Sequence, residues 1–121
     1  VGAKQDPVFG PVTMVGHGGR FVELWRDTAP GLGILEPADV ERMLEKTKSD
    51  RVLKGFRGPT LDRDAVIDIV IKVSRMMQAR PEINELDLNP VIVSADATTV
   101  TDIDVRLVDR PDVDGPIRKL G

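Results

Sequence analysis

Residues 85–90 read Glu-Leu-Asp-Leu-Asn-Pro, and residues 102–107 read Asp-Ile-Asp-Val-Arg-Leu. In an extended chain, successive side chains point to opposite faces. Leu86 and Leu88 then face one way, and Glu85, Asp87 and Asn89 the other. Ile103, Val105 and Leu107 oppose Asp102, Asp104 and Arg106 in the same manner. If the two segments pair as antiparallel strands about a turn centred on Asp96-Ala97, Leu88 lies opposite Val105 and Leu86 opposite Leu107. That register sets Asn89 opposite Asp104 and diagonal to Asp102. It joins the two apolar faces and the two polar faces, and a one-residue slip would undo both matches. Asp87, Asn89, Asp102 and Asp104 would then share one surface. Like charges on neighbouring strands repel. A divalent cation relieves that repulsion. Mg²⁺ takes hard oxygen donors, commonly one or two protein carboxylates or amides, and completes its octahedron with phosphate and water. The plain alternative is the wet side of an amphipathic hairpin, with Arg106 offsetting part of the charge. Pattern alone leaves both readings open.

A second candidate is the run Gly16-His17-Gly18-Gly19. Glycines let backbone N–H groups approach a phosphate closely. The run leads into a strand-like stretch, however, and so lacks the helix N-terminus of a dinucleotide loop. A flexible hairpin turn explains it equally well. His17 has no Ser, Cys or second His in a recognisable nucleophile motif, so it reads as a turn residue. Trp25 and the Met76-Met77 pair read as packing groups. Lys54 and Arg57, in a basic connection, read as solvated cations that are also able to meet phosphate or carboxylate.

The elements that must position these groups follow from periodicity. Val1 to Lys4 reads as the end of a strand already under way, so a longer polypeptide is expected. Residues 6–26 are expected to form a β-hairpin, with Pro11 to Val15 and Arg20 to Arg26 as its strands, and residues 28–35 to be irregular. A helix is expected from Pro37 to about Lys48, with Pro37 at its first position and Asp39 and Glu41 in the opening turn. Residues 49–61 form a glycine-punctuated connection. A longer helix is expected from about Asp62 to Ala79. There Val66, Ile69, Val70, Val73, Met76 and Met77 make a broad apolar stripe, and Pro81 ends it. Two strands, Ile83 to Val93 and Val100 to Val108, complete the fold. The expected class is α+β, a mostly antiparallel sheet of hairpins covered on one face by helices. Residues 1–108 form the domain, and residues 109–121 a linker or mobile tail.

Composition bounds the function. The 121 residues carry a net charge of −3, with 40% hydrophobic and 31% charged residues. That balance suits a globular domain and gives no charge-based reason to expect a nucleic-acid or membrane partner. No apolar run is long enough for a membrane span. Zero cysteines exclude disulfides and thiolate metal sites and suit a reducing, cytoplasmic setting. One histidine excludes sites that need two imidazoles, and three Phe, one Trp and no Tyr leave little for base stacking.

Three segments together carry a family resemblance. "QDPVFGPVTMVGHGGRFVELWRD" at 5–27, "VLKGFRGP" at 52–59 and "INELDLNPVIV" at 83–93 resemble the C-terminal part of the ATP-grasp domain of ADP-forming acyl-CoA synthetases, relatives of the succinyl-CoA synthetase β subunit. The resemblance covers about residues 1–108. It implies Mg²⁺ (or Mn²⁺) and ATP or ADP as cofactors. It implies Asn89 as a metal ligand and Asp102 as the second, with Asp87 and Asp104 as neighbours or alternates. Gly18, Gly19 and Glu23 match the family's phosphate-side loop. The implied activity couples phosphoryl transfer between ATP and ADP, through a phosphohistidine, to acyl-CoA formation or breakdown. The partners implied are the first half of the ATP-grasp domain and the CoA-binding and phosphohistidine domains or subunit, none of them in this sequence. The competing reading is a non-catalytic ATP-grasp-like module of a protein-lysine acetyltransferase. An unrelated α+β binding module is a third.

Overall fold

The computed structural model describes residues 1–16, 28–55 and 60–109. Its frame is α3, Arg63–Ala79. Asp62 caps it, its carboxylate accepting the Ala65 N–H at 3.3 Å. Val66, Val70, Val73 and Met77 recur at helical spacing and are buried along one stripe. α1, Pro37–Glu45, begins with Pro37 at a position where a missing N–H costs nothing. The Asp39 carboxylate accepts the Glu36 N–H at 2.9 Å. α1 is shorter than expected, and a separate turn of helix, α2 (Ser49–Leu53), occupies part of the anticipated connection. No described helix is long and apolar enough to cross a membrane.

Strands β1 (Gly2–Asp6), β2 (Gly10–Gly16), β3 (Thr28–Leu32), β4 (Ile83–Leu88) and β7 (Ile103–Leu107) make one sheet in the order β3-β2-β1-β4-β7. Every neighbouring pair in it is antiparallel. β5 (Val91–Val93) and β6 (Thr98–Val100) form a separate two-stranded ribbon. The class is α+β, as expected.

Two strand assignments differ from expectation. The partner of β2 on one side is β1, joined to it by the turn at Asp6–Gly10. There the Asp6 carboxylate accepts the Val8 and Phe9 N–H groups at 2.8 and 3.0 Å, and Gly10 takes φ +73°. On its other side β2 pairs with residues 28–32, which were expected to be irregular. Pro30 and Gly31 hide that strand from propensity arguments. The expected second hairpin strand, Arg20 to Arg26, lies outside the described residues.

Helices cover one face of the sheet. Ala3, Thr13, Val15, Ala29, Leu86 and Leu88 are buried beneath them. Gly31 marks the closest approach: a Cβ there would sit 2.6 Å from Met43 Sδ. A side chain at that position would force the ends of the Met43 and Leu35 side chains to move.

Candidate functional site

The opposite face of the sheet carries the charges. β4 pairs with β7 so that Leu86 meets Val105, Asp87 meets Asp104, and Leu88 meets Ile103. Glu85 meets Arg106, with a bulge between Ile83 and Glu85. The face parity expected from the alternation holds, but the register lies two residues from the expected one. Asp104 stands opposite Asp87 rather than Asn89. One further rung places Asn89 beside Asp102, and the Asn89 N–H donates to the Asp102 carbonyl at 3.2 Å.

Both strands break at that rung. Pro90 has no N–H to donate to a ladder, and the chain resumes as β5 after it. The Asn89–Pro90 peptide is cis. Across the break, the Pro90 carbonyl accepts the Thr101 N–H at 3.2 Å and the Thr101 hydroxyl at 2.9 Å. These bonds tie residues 89–90 to residues 101–102 where regular pairing stops. Val91 then pairs with Val100, so the ribbon continues the same count. The expected turn centre was one residue off, and the expected uninterrupted strands are each split in two.

Asn89 is half-buried, and Asp87, Asp102 and Asp104 are exposed. The structure therefore sets the backbones of the four sequence-predicted oxygen donors on two rungs, with the Leu88–Ile103 rung between them. Among the described residues, no group of three His, Cys, Asp or Glu side chains could hold a metal ion. An amide and a few carboxylates on an open face match the partial shell that Mg²⁺ uses when phosphate and water supply the rest. Gly18, Gly19, Glu23, His17 and Trp25 lie outside the described residues, as does Arg57.

β1 extends this face. Gly2 pairs with Asp87 and Lys4 with Glu85. A shallow cleft of about 290 Å³ lies over Gly2, Lys4, Met14, Asp87, Asp104 and Arg106. A second cavity, about 310 Å³, lies by the strand break, lined by Asn89, Pro90 and apolar side chains such as Val15, Leu53, Val66 and Val93. Asn89 thus lines the apolar recess, while its backbone is tied to Asp102.

A buried charge cluster escaped the sequence reading. Arg63 Nε donates to Asp50 Oδ1 at 2.7 Å, and its Nη1 donates to both Glu41 carboxylate oxygens at 2.7 Å. Lys54 Nζ lies 3.1 Å from Asp50 Oδ2, so Lys54 is held by a carboxylate. The Asp50 side chain is 5% exposed. Burial pushes its carboxyl up, but Arg63 and Lys54 outweigh that and hold it below the ordinary value. The Asp50 hydrogen bond raises Arg63 further above its already high value. The cluster joins α1, α2 and α3 behind the recess. Only the spacing of opposite charges between helices hinted at it.

Comparison with known proteins gives the same frame. Residues 1–107 match the family model described as an ATP-grasp domain. The chain is 39% identical over 112 residues to trans-feruloyl-CoA synthase FCS1 from an unknown prokaryotic organism, covering 91% of this chain and 16% of that protein. It is 45% identical over 94 residues to the ADP-forming acetate–CoA ligase of Methanocaldococcus jannaschii, covering 77% of this chain and 13% of that protein. The fold superposes on acetyl-coenzyme A synthetase 1 of Ca. Korarchaeum cryptofilum, solved with coenzyme A and Mg-AMPPCP, with a TM-score of 0.84 and 40% identity. That match covers 88% of this chain and 51% of the solved one. The chain thus spans less than a fifth of the length of these two curated relatives.

Proposed function

This chain belongs to the ATP-grasp family of the ADP-forming acyl-CoA synthetases, and from that premise we propose that it supplies the metal–phosphate face of such an enzyme. The whole enzyme would be an acid–thiol ligase. It moves a phosphoryl group between ATP and a carboxylic acid by way of a phosphohistidine, and forms or cleaves the acyl-CoA thioester. The observation that carries the reading is the pair of polar rungs, Asn89 beside Asp102 and Asp87 opposite Asp104, on the sheet face that the helices leave open.

Asn89 and Asp102 would hold Mg²⁺, with Asp87 and Asp104 as neighbours or alternates. The ion supplies charge neutralisation at phosphate oxygens when bound. The chain's own contribution is positional. Backbone bonds across the strand break fix residues 89 and 102 relative to each other before any ligand arrives, so less ordering is needed on binding. Phosphoryl transfer depends mainly on placement and field, which such a face provides. The remaining ATP-grasp half and the CoA-binding and phosphohistidine domains would supply the other wall of the site. The absence of cysteine suits a cytoplasmic enzyme. The curated relatives named above are a CoA synthase and an ADP-forming CoA ligase, which favours this reading over a non-catalytic module of an acetyltransferase.

The test uses the full-length enzyme. Asn89→Ala and Asp102→Ala should abolish Mg²⁺-dependent ADP formation from ATP, acid and CoA while leaving the melting temperature near that of the wild type. Wild-type turnover in either variant sinks the proposal.

A further inference from the structure

The polar face alternates in sign from rung to rung. Lys4 on β1, Glu85 on β4 and Arg106 on β7 occupy one rung, as positive, negative and positive. Gly2, Asp87 and Asp104 occupy the next, as neutral, negative and negative. The first rung therefore has an excess of positive charge and the second an excess of negative charge. The tie between Arg106 and Glu85 is loose: Nε and Oε2 stand 3.7 Å apart, with side chains 74% and 53% exposed. An ion pair so long and so wet holds little energy and leaves the guanidinium fork available. The shallow cleft spans both rungs, and Gly2, lacking a side chain, keeps it open between Lys4 and Asp87.

We propose that Lys4 and Arg106 form a phosphate-binding pair that receives the terminal phosphates of the nucleotide whose metal would be held further along the same strands, toward Asn89 and Asp102. This rests on the nucleotide reading above and adds the side chains that would grip the phosphate chain. The geometry is complementary in charge and in length. A metal-bound triphosphate presents a cation and, beyond it, anionic oxygens. The face presents carboxylates at Asp87 and Asp104 and, two residues along, cations on β1 and β7, at Lys4 and Arg106. Two residues of strand span roughly 6.5–7 Å, within reach of one extended arginine side chain. Arg106 suits the task because its planar fork meets two phosphate oxygens at once, while Lys4 offers a point charge from the other side. Glu85, between them, would hold both cations over the cleft in the empty state and release them to the stronger anion.

Calorimetric titration of the full-length enzyme with a non-hydrolysable ATP analogue and Mg²⁺ tests this. Arg106→Ala should weaken binding by about tenfold, the loss of one charge-assisted contact. Arg106→Lys should recover part of that loss, because it keeps the charge without the fork. Lys4→Ala should weaken binding by roughly threefold. Affinity for CoA should stay unchanged in all three. Arg106→Gln, which keeps length and polarity, guards against a folding defect in the alanine variant. Unchanged analogue affinity in the Arg106 variants, with the wild type binding normally, overturns this pair alone. A loss of analogue affinity shared equally by CoA overturns it too. A wild-type enzyme that binds no Mg²⁺-triphosphate overturns both this proposal and the function from which it follows.

Discussion

The Asn89 backbone N–H donates to the Asp102 carbonyl at 3.2 Å, where β4 and β7 both stop and a separate ribbon takes over. The contact welds two candidate ligands at the end of the regular ladder. Asp104 sits two rungs inward, paired with Asp87. Asp104 lies on the edge strand β7, opposite a like charge, whereas Asp102 stands directly beside the Asn89 amide. Asp102→Asn should therefore raise the Mg²⁺ concentration needed for half-maximal activity more than Asp104→Asn does, by about tenfold against a few-fold. A Mg²⁺ titration of activity for both variants checks this ranking. The reverse order would move the metal inward, away from the break.

Arg63 joins three helices through Asp50 and Glu41, and its side chain is only 14% exposed. Removing it strands the buried Asp50 carboxylate. Arg63→Ala should cost about 3 kcal/mol of stability, visible as a lower denaturant midpoint. A loss below about 1 kcal/mol would mean that solvent reaches Asp50 and replaces the guanidinium.

The same cluster predicts an acid response. The folded Asp50 carboxyl lies below its ordinary value of 3.8, so its contribution is complete above that value. It is lost as pH falls through the lower, folded value. Asp50→Asn should melt lower than wild type at neutral pH, yet lose less stability on acidification below about pH 4. Melting curves across that range test it, and parallel pH slopes for the two proteins would contradict the assignment.

How much of this was legible in the sequence depended on how local each signal was. The stripe from Val66 to Met77 and the closing Pro81 marked α3 to within a residue of its start at Arg63. Alternation fixed which face Asp87, Asn89, Asp102 and Asp104 share, because parity survives any even shift of register. The shift itself was not legible. It depends on where the turn between Ser94 and Ala97 closes, and there the Ser94 hydroxyl accepts the Ala97 N–H at 3.1 Å. A one-residue change in turn centre moves the pairing by two. β3 was missed because its membership is decided by pairing with β2, against the preferences of Pro30 and Gly31. The Asp50–Arg63–Glu41 cluster was missed because its members are brought together only when α1, α2 and α3 pack.

Thr13 is fully buried in the middle of β2, and its hydroxyl has no hydrogen-bond partner among the described residues. A buried, unsatisfied hydroxyl costs free energy that an apolar group of the same shape does not. Thr13→Val should therefore stabilise the fold by up to about 1 kcal/mol, measured as a higher denaturant midpoint with an unchanged slope. A clear loss of stability would reveal a partner for that hydroxyl.

Ser74 presents the opposite case. Its hydroxyl, fully buried on α3, accepts the Leu35 N–H at 3.1 Å and donates to the Ile71 carbonyl at 2.7 Å. The first bond reaches 39 residues along the chain and anchors the segment that leads into α1. Alanine would keep the volume nearly constant but leave the Leu35 amide buried with nothing to donate to. Ser74→Ala should cost about 1–3 kcal/mol and speed hydrogen exchange at the Leu35 amide. The exchange measurement separates the two effects of the change. Faster exchange at Leu35 without faster exchange in β1 and β2 places the damage at the α1 entry, as the bond requires. Uniformly faster exchange, or none, would show that the hydroxyl does not hold that segment in place.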